Sequence, residues 1–158
     1  ATKIEQDESM PQEHKNWYLE SLSDQLYIHE KTTELISEMQ IIALFKMIEI
    51  SLKEMCKISE QFTEKQLDSL YRHSDLKRLL SSKICDIELL QGYLAFNELR
   101  CINNCLKHSG KVNAELASFR GWKEKESLRN VGTHYERLKH DCTSFVAEVR
   151  NQILAKVV

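Results

Sequence analysis

From Gln12 to about Cys56 the chain repeats apolar residues at helical spacing, with no proline to break it. Trp17, Leu22 and Leu26 begin the pattern, and Leu35, Ile36, Met39, Ile42, Leu44, Phe45, Ile48, Leu52 and Met55 continue it. The stretch is longer than one ordinary helix. His29-Glu30-Lys31-Thr32-Thr33 holds weak helix formers, so it marks either a break between two helices or the curve of a single long one. Composition points the same way. One Pro and four Gly in 158 residues, with 29 % charged, give too little turn punctuation for a β-rich domain. The chain therefore reads as all-α, an antiparallel four- to five-helix bundle. Residues 1–11, polar and acidic, read as a mobile leader, and 12–158 as a single helical-bundle domain.

Between Met39 and Ile50 the sequence MQIIALFKMIEI is apolar on nearly every side except at Lys46 and Glu49. Such a helix is either central to one bundle or packed against a second copy, which makes a homodimer an expectation. The formal charge of −2 gives no global attraction to nucleic acid or membrane, so an anionic partner must be met by a local basic patch. No apolar run approaches the ~20 residues that span a bilayer, and no signal-type segment opens the sequence. Five cysteines, scattered without a disulfide rhythm, read as reduced core thiols in a cytoplasmic protein.

Thr63-Glu64-Lys65-Gln66 reads as a capping box that opens a helix through Leu67, Leu70, Tyr71, Leu76, Leu79 and Leu80. Arg72, His73, Lys77 and Arg78 give that helix a basic side, ordinarily a solvated one, with nucleic-acid contact as the alternative. A further helix is expected from about Cys85 to His108, with Gly92 inside it allowing close approach of another helix. Residues 109–132 carry no sustained period beyond a single turn near Val112 to Ala117. Phe119 and Trp122 are the side chains expected to pin this segment to the body. The last helix is expected to start at Thr133, with Glu136 completing a second capping box, and to run to about Leu154.

The stretch Asn97 to Gly110, NELRCINNCLKHSG, is where chemistry concentrates. Leu99, Ile102 and Leu106 share an apolar face, while Asn103, Asn104, Lys107 and His108 crowd the last turn and a half. Ser109-Gly110 supplies the stop. Asn104 and His108 are one turn apart, with Arg100 one turn earlier on the same stripe. An imidazole that titrates near neutrality can act as acid or base, Arg and Lys can hold a phosphate, and an amide can orient the imidazole or meet a ribose hydroxyl. These are the needs of metal-independent RNA cleavage. The alternative is that His108 and the asparagines only cap the helix end.

A rival lies at Arg129-Asn130-Val131-Gly132-Thr133-His134, which reads R-N-x-x-x-H. Gly132 weakens a helix there, and Thr133 reads as the cap of the next one, so Arg129 and His134 need not share a face. A metal is not implied. Cys101 and Cys105 on one stripe, near His108, are more economical as core residues than as zinc ligands.

A helix ending in N-x-x-x-H before a small-residue turn, within an all-α bundle, resembles the HEPN (higher eukaryote and prokaryote nucleotide-binding) superfamily. Asn104 and His108 match the second and last positions of its R-N-x-x-x-H motif, and Asn103 stands where that family has its arginine. The resemblance implies a HEPN-like bundle, often dimeric, acting in prokaryotic defence or as a toxin with a cognate antitoxin. It also implies binding or cleavage of RNA without metal or cofactor. In that assignment His108 is the acid/base, Asn104 its orienter, and Arg100 and Lys107 the phosphate contacts. Arg129, Asn130 and His134 form a rival catalytic copy. The other reading is a non-catalytic helical module that binds a nucleotide or a protein and whose His108 corner is structural. Asn103 in place of the arginine favours that second reading.

Overall fold

A computed structural model describes residues 10–70 and 72–157. The expected leader over 1–11 lies outside the described residues as far as residue 9. The described helices are α1 (Gln12–Ile58), α2 (Glu64–Asp68), α3 (His73–Lys83), α4 (Tyr93–His108), α5 (Ala114–Ala117) and α6 (Val131–Val157), with a 3-10 turn at Ile87–Leu89 before α4. Apart from an isolated bridge between Lys111 and Ser127, all regular structure among the described residues is helical. No described helix is long and apolar enough to cross a membrane.

α1 is one helix of 47 residues, so the His29–Thr33 stretch does not break it. Thr33 Oγ1 donates to the His29 carbonyl and Ser37 Oγ to the Thr33 carbonyl, each at 2.9 Å, so these hydroxyls bond back within the helix. Lys31 and Glu34 pair at 2.7 Å along the same stretch. The chain divides into two compact units, Ala1–Ser37 and Glu38–Val158, with the division inside α1. In the first unit no described residue is buried, and Trp17, Leu26, Tyr27 and Ile28 are exposed. In the second unit, Ile41, Ile48, Leu52 and Cys56 form one buried stripe of α1. Met39, Met47 and Ile50 remain exposed, so this part of the helix is not surrounded.

The capping box at Thr63 forms, with the Gln66 N–H donating to Thr63 Oγ1 and the Thr63 N–H to Gln66 Oε1. The helix it opens is short, whereas the sequence pattern runs on to Leu80. Ser69 ends it, donating its backbone N–H to the Gln66 and Leu67 carbonyls and its hydroxyl to Gln66. α3 restarts at His73 after an extended Arg72.

α4 also starts later than its periodicity suggests. Asp86 caps the 3-10 turn by accepting from the Glu88 N–H at 3.1 Å, and Ile87 is buried there. Gly92 is the residue before α4 rather than inside it, with φ +82. A Cβ at Gly92 would lie 2.1 Å from the Asp141 carbonyl oxygen, so the close approach to another helix is real and that helix is α6. Further along, Phe96 stacks on Phe145 at 4.8 Å and Glu98 bonds Arg137. From Phe96 to Glu98 on α4 the partner on α6 moves back from Phe145 to Arg137, so the two helices are antiparallel.

The segment between α4 and α6 is tied down. The Val112 N–H donates to the Glu126 carbonyl at 2.9 Å and the Lys125 N–H to the Val112 carbonyl at 2.8 Å. Val112, Leu116 and Trp122 are buried, and Phe119 packs partly against the core. α6 begins at Val131, which corrects the expected start at Thr133. Thr133 lies in its first turn and, with His134, donates its N–H to the Asn130 carbonyl, so Thr133 and Glu136 are not a capping box.

Candidate functional site

The break between α2 and α3 is what builds the site. It sets Arg72 and His73 at the head of α3, facing the polar end of α4 across a cleft of about 540 Å³. Arg72, His73 and Ser74 line one side, Arg100, Asn103, Asn104 and Lys107 another, with Glu49 of α1 and Glu115 of α5 completing the polar lining. Phe45, Phe96, Leu52, Leu70 and Leu76 supply apolar surface.

Arg100 is nearly buried and already partnered. Its Nε donates to Asn97 Oδ1 at 2.9 Å, one Nη donates to Cys101 Sγ, and it pairs with Glu115. Much of its charge is therefore spent on fastening α5 to α4. Lys107 is exposed, with its ammonium 6.0 Å from the centre of the Phe45 ring. Glu49, on α1, is held by Lys46 at 2.9 Å and Lys53 at 3.4 Å. Both carboxylates of the cleft are thus neutralised by neighbours, and Lys107 leaves the lining positive.

His73 had no distinguishing mark in the sequence beyond its place on a basic helix side. Its ring lies 6.4 Å from Tyr93, inclined by 23°, and against Phe96 at 5.8 Å. Tyr93 Oη sits 3.5 Å from His73 Nε2 and donates to Glu88 at 3.3 Å. Since Tyr93 spends its proton on Glu88, its oxygen suits a proton carried on Nε2, which leaves a lone pair on Nδ1. Nδ1 is buried and has no partner among the described residues. Burial, reinforced by the Arg100 charge, pushes the imidazole pKa down to about 4, so the ring is neutral at physiological pH.

Asn103 is 1 % exposed, and neither its amide nitrogen nor its oxygen has a partner among the described residues. Asn104, half-buried, lines the same wall. His108 does not join them. It is the exposed last residue of α4, about 100° round the helix from Lys107, and it is not part of the cleft lining. Asn104 and His108 share a stripe, but the lining ends at Lys107, one residue before His108.

The rival motif resolves differently. Arg129 and Asn130 are exposed, and Asn130 has φ 54 at the entry to α6. His134 stacks on Trp122 at 4.1 Å, and its Nδ1 lies 3.1 Å from Arg137. Burial and then the Arg137 charge lower its pKa. These groups gather on the buried Glu98. Trp122 Nε1 donates to Glu98 Oε1 at 2.8 Å, and Arg137 bonds both carboxylate oxygens, at 2.5 and 3.1 Å. The arrangement is a clamp between α4, the connecting segment and α6, with Arg137 rather than Arg129 as its cation. Glu98 passed unnoticed in the sequence because its partners lie 24 and 39 residues away.

Cys101 and Cys105 are core residues, and burial pushes the Cys101 thiol up to about 12. Among the described residues no three His, Cys, Asp or Glu side chains gather as a metal site. No protein-family model matches the chain, and neither a curated protein nor a solved structure matches it.

Proposed function

We propose that the chain is a HEPN-like RNA-binding protein of prokaryotic defence or toxin–antitoxin type, which holds an RNA phosphate in the cleft between α3 and α4. One observation carries this. Arg100, Asn103, Asn104 and Lys107, the polar end of α4, line a single cleft with Arg72 and His73. Lys107 supplies positive charge to a phosphate, and Asn104 supplies a hydrogen bond to a ribose hydroxyl. Arg100 acts mainly by positioning α5, since its guanidinium is already partnered.

A short single-stranded RNA titrated by fluorescence anisotropy tests this. Lys107→Ala should weaken binding and flatten its salt dependence by roughly one unit of log–log slope. His108→Ala and His134→Ala should bind as wild type. Equal binding by Lys107→Ala and wild type, or no binding by either, removes the proposal.

Cleavage is a second reading, favoured by the neutral His73 and its unpartnered Nδ1. In it Nδ1 takes the proton of a 2′-hydroxyl, the 2′-oxygen bonds to the adjacent phosphorus, and the 5′-oxygen leaves with a proton from water. RNA should then be cut in EDTA by wild type and not by His73→Gln. If wild type leaves several RNAs intact, the chain binds without cutting, as a non-catalytic module. The proposed setting is the cytoplasm. The proposed assembly is a homodimer through the exposed Met39, Met47 and Ile50 face, with a cognate antitoxin as a further partner. Sedimentation as a monomer at high concentration would remove the dimer.

A further inference from the structure

The cleft wall carries an amide that the folded chain leaves unsatisfied. A buried Asn103 with no partner on either its donor or its acceptor forfeits its hydration without return, whereas leucine would fill much the same space without that loss. A carboxamide presents a donor and an acceptor side by side in one plane. A phosphate or carboxylate has acceptors only, so it would satisfy the amide nitrogen and leave the oxygen orphaned. An ammonium would do the reverse. The complement is a planar edge with an acceptor next to a donor, which is what a nucleobase offers.

The surroundings suit a base. Phe45 and Phe96, stacked at 6.1 Å and nearly parallel, line the cleft together with the His73 ring. Bases lie on aromatic surfaces of this kind. The cleft volume of about 540 Å³ falls within the range of small-ligand sites. Adenine has a donor–acceptor pair on both of its edges, N6–H beside N7 and N6–H beside N1. Guanine also has two, N1–H beside O6 and N2–H beside N3, uracil has two about its N3–H, and cytosine has one. The number of matching edges does not choose among the bases, and the preference for adenine rests on the pairing of an Asn amide with N6–H and N7, the recurrent bidentate outcome for this side chain.

We infer that Asn103 reads a nucleobase, adenine in preference to the others, in the cleft whose cations hold its phosphate. This rests on the phosphate reading proposed above. The unpartnered amide then becomes the specificity element of the site, and Lys107 its base-independent part.

Calorimetric titration of the whole chain with AMP, GMP, CMP, UMP, ribose 5-phosphate and inorganic phosphate tests the assignment. AMP should bind roughly fivefold or more tighter than the other nucleotides, the fold-change expected of one bidentate pair. The purine nucleotide lacking the 6-amino group should lose that advantage, a result independent of any variant. Asn103→Leu should bind AMP no better than ribose 5-phosphate and melt at a higher temperature. Phosphate binding without base preference, an adenine preference retained in Asn103→Leu, or a lower melting temperature for that variant each overturns the inference while the phosphate reading stands. Failure of every phosphate-bearing probe, RNA included, overturns the phosphate reading and this inference with it.

Discussion

Two polar clusters in this protein draw on the same helix and end in opposite states. On one side of α4, Glu98 is buried with its oxygens taken by Trp122 and Arg137. On another side, five residues later, Asn103 is buried more deeply and has no partner among the described residues. A buried polar group that is fully bonded fixes the fold, and one that is not weakens it. The Glu98 cluster explains why the segment after α4 is held in place. The Asn103 cluster has no such structural result, and it faces a cleft with cations. A histidine belongs to each. His134 is stacked against Trp122 inside the clamp, and His73 stands over the cleft with one ring nitrogen unused.

The largest effect expected from breaking this contrast is at the clamp. Glu98→Ala leaves the Trp122 N–H and the Arg137 fork without their acceptor. Because Arg137 is half exposed, the loss is taken below the range for a fully buried pair, at about 3 kcal/mol by urea unfolding. Asn103→Leu should move the other way, by about +1 kcal/mol, since it removes an orphan rather than a partner. A loss in both variants would erase the distinction between the clusters.

Lowering the pH sharpens the comparison further. The folded-state pKa of His73 is about 4, below the ordinary 6.5, so the unfolded chain binds the proton more readily in that window. The stability attached to the neutral ring is complete above pH 6.5 and is lost as pH falls towards 4. His134 adds in the same direction. Urea midpoints measured across this range should fall less steeply in His73→Phe than in wild type, and a parallel pair of curves would contradict the burial of that ring. The smallest effect is at the two exposed motif residues. His108→Ala and Arg129→Ala should each change stability by no more than ~0.5 kcal/mol, as surface substitutions do.

Much of the local structure was written in the sequence. The capping box at Thr63, the one-turn helix after Asn113 and the close approach at Gly92 follow from rules that act over a few residues. The membership of the cleft was half legible. Arg100, Asn104 and Lys107 could be grouped because they recur on one face of α4, and Asn103 because it interrupts a motif. His108 was misplaced by the same rule, since spacing gives a stripe and not its limits. His73 was hidden because the pattern runs unbroken from Leu67 to Leu80, and only the Ser69 end of α2 separates it from a solvated helix side.

By itself, then, the sequence determined that the chain is helical and where its polar helix end lies, because helical period and end signals are short-range properties. Which imidazole meets the cations, which carboxylate is buried, and which amide is left without a partner were decided only when distant segments packed together. Those outcomes depend on residues tens of positions apart arriving at one place, and no local pattern encodes such a meeting.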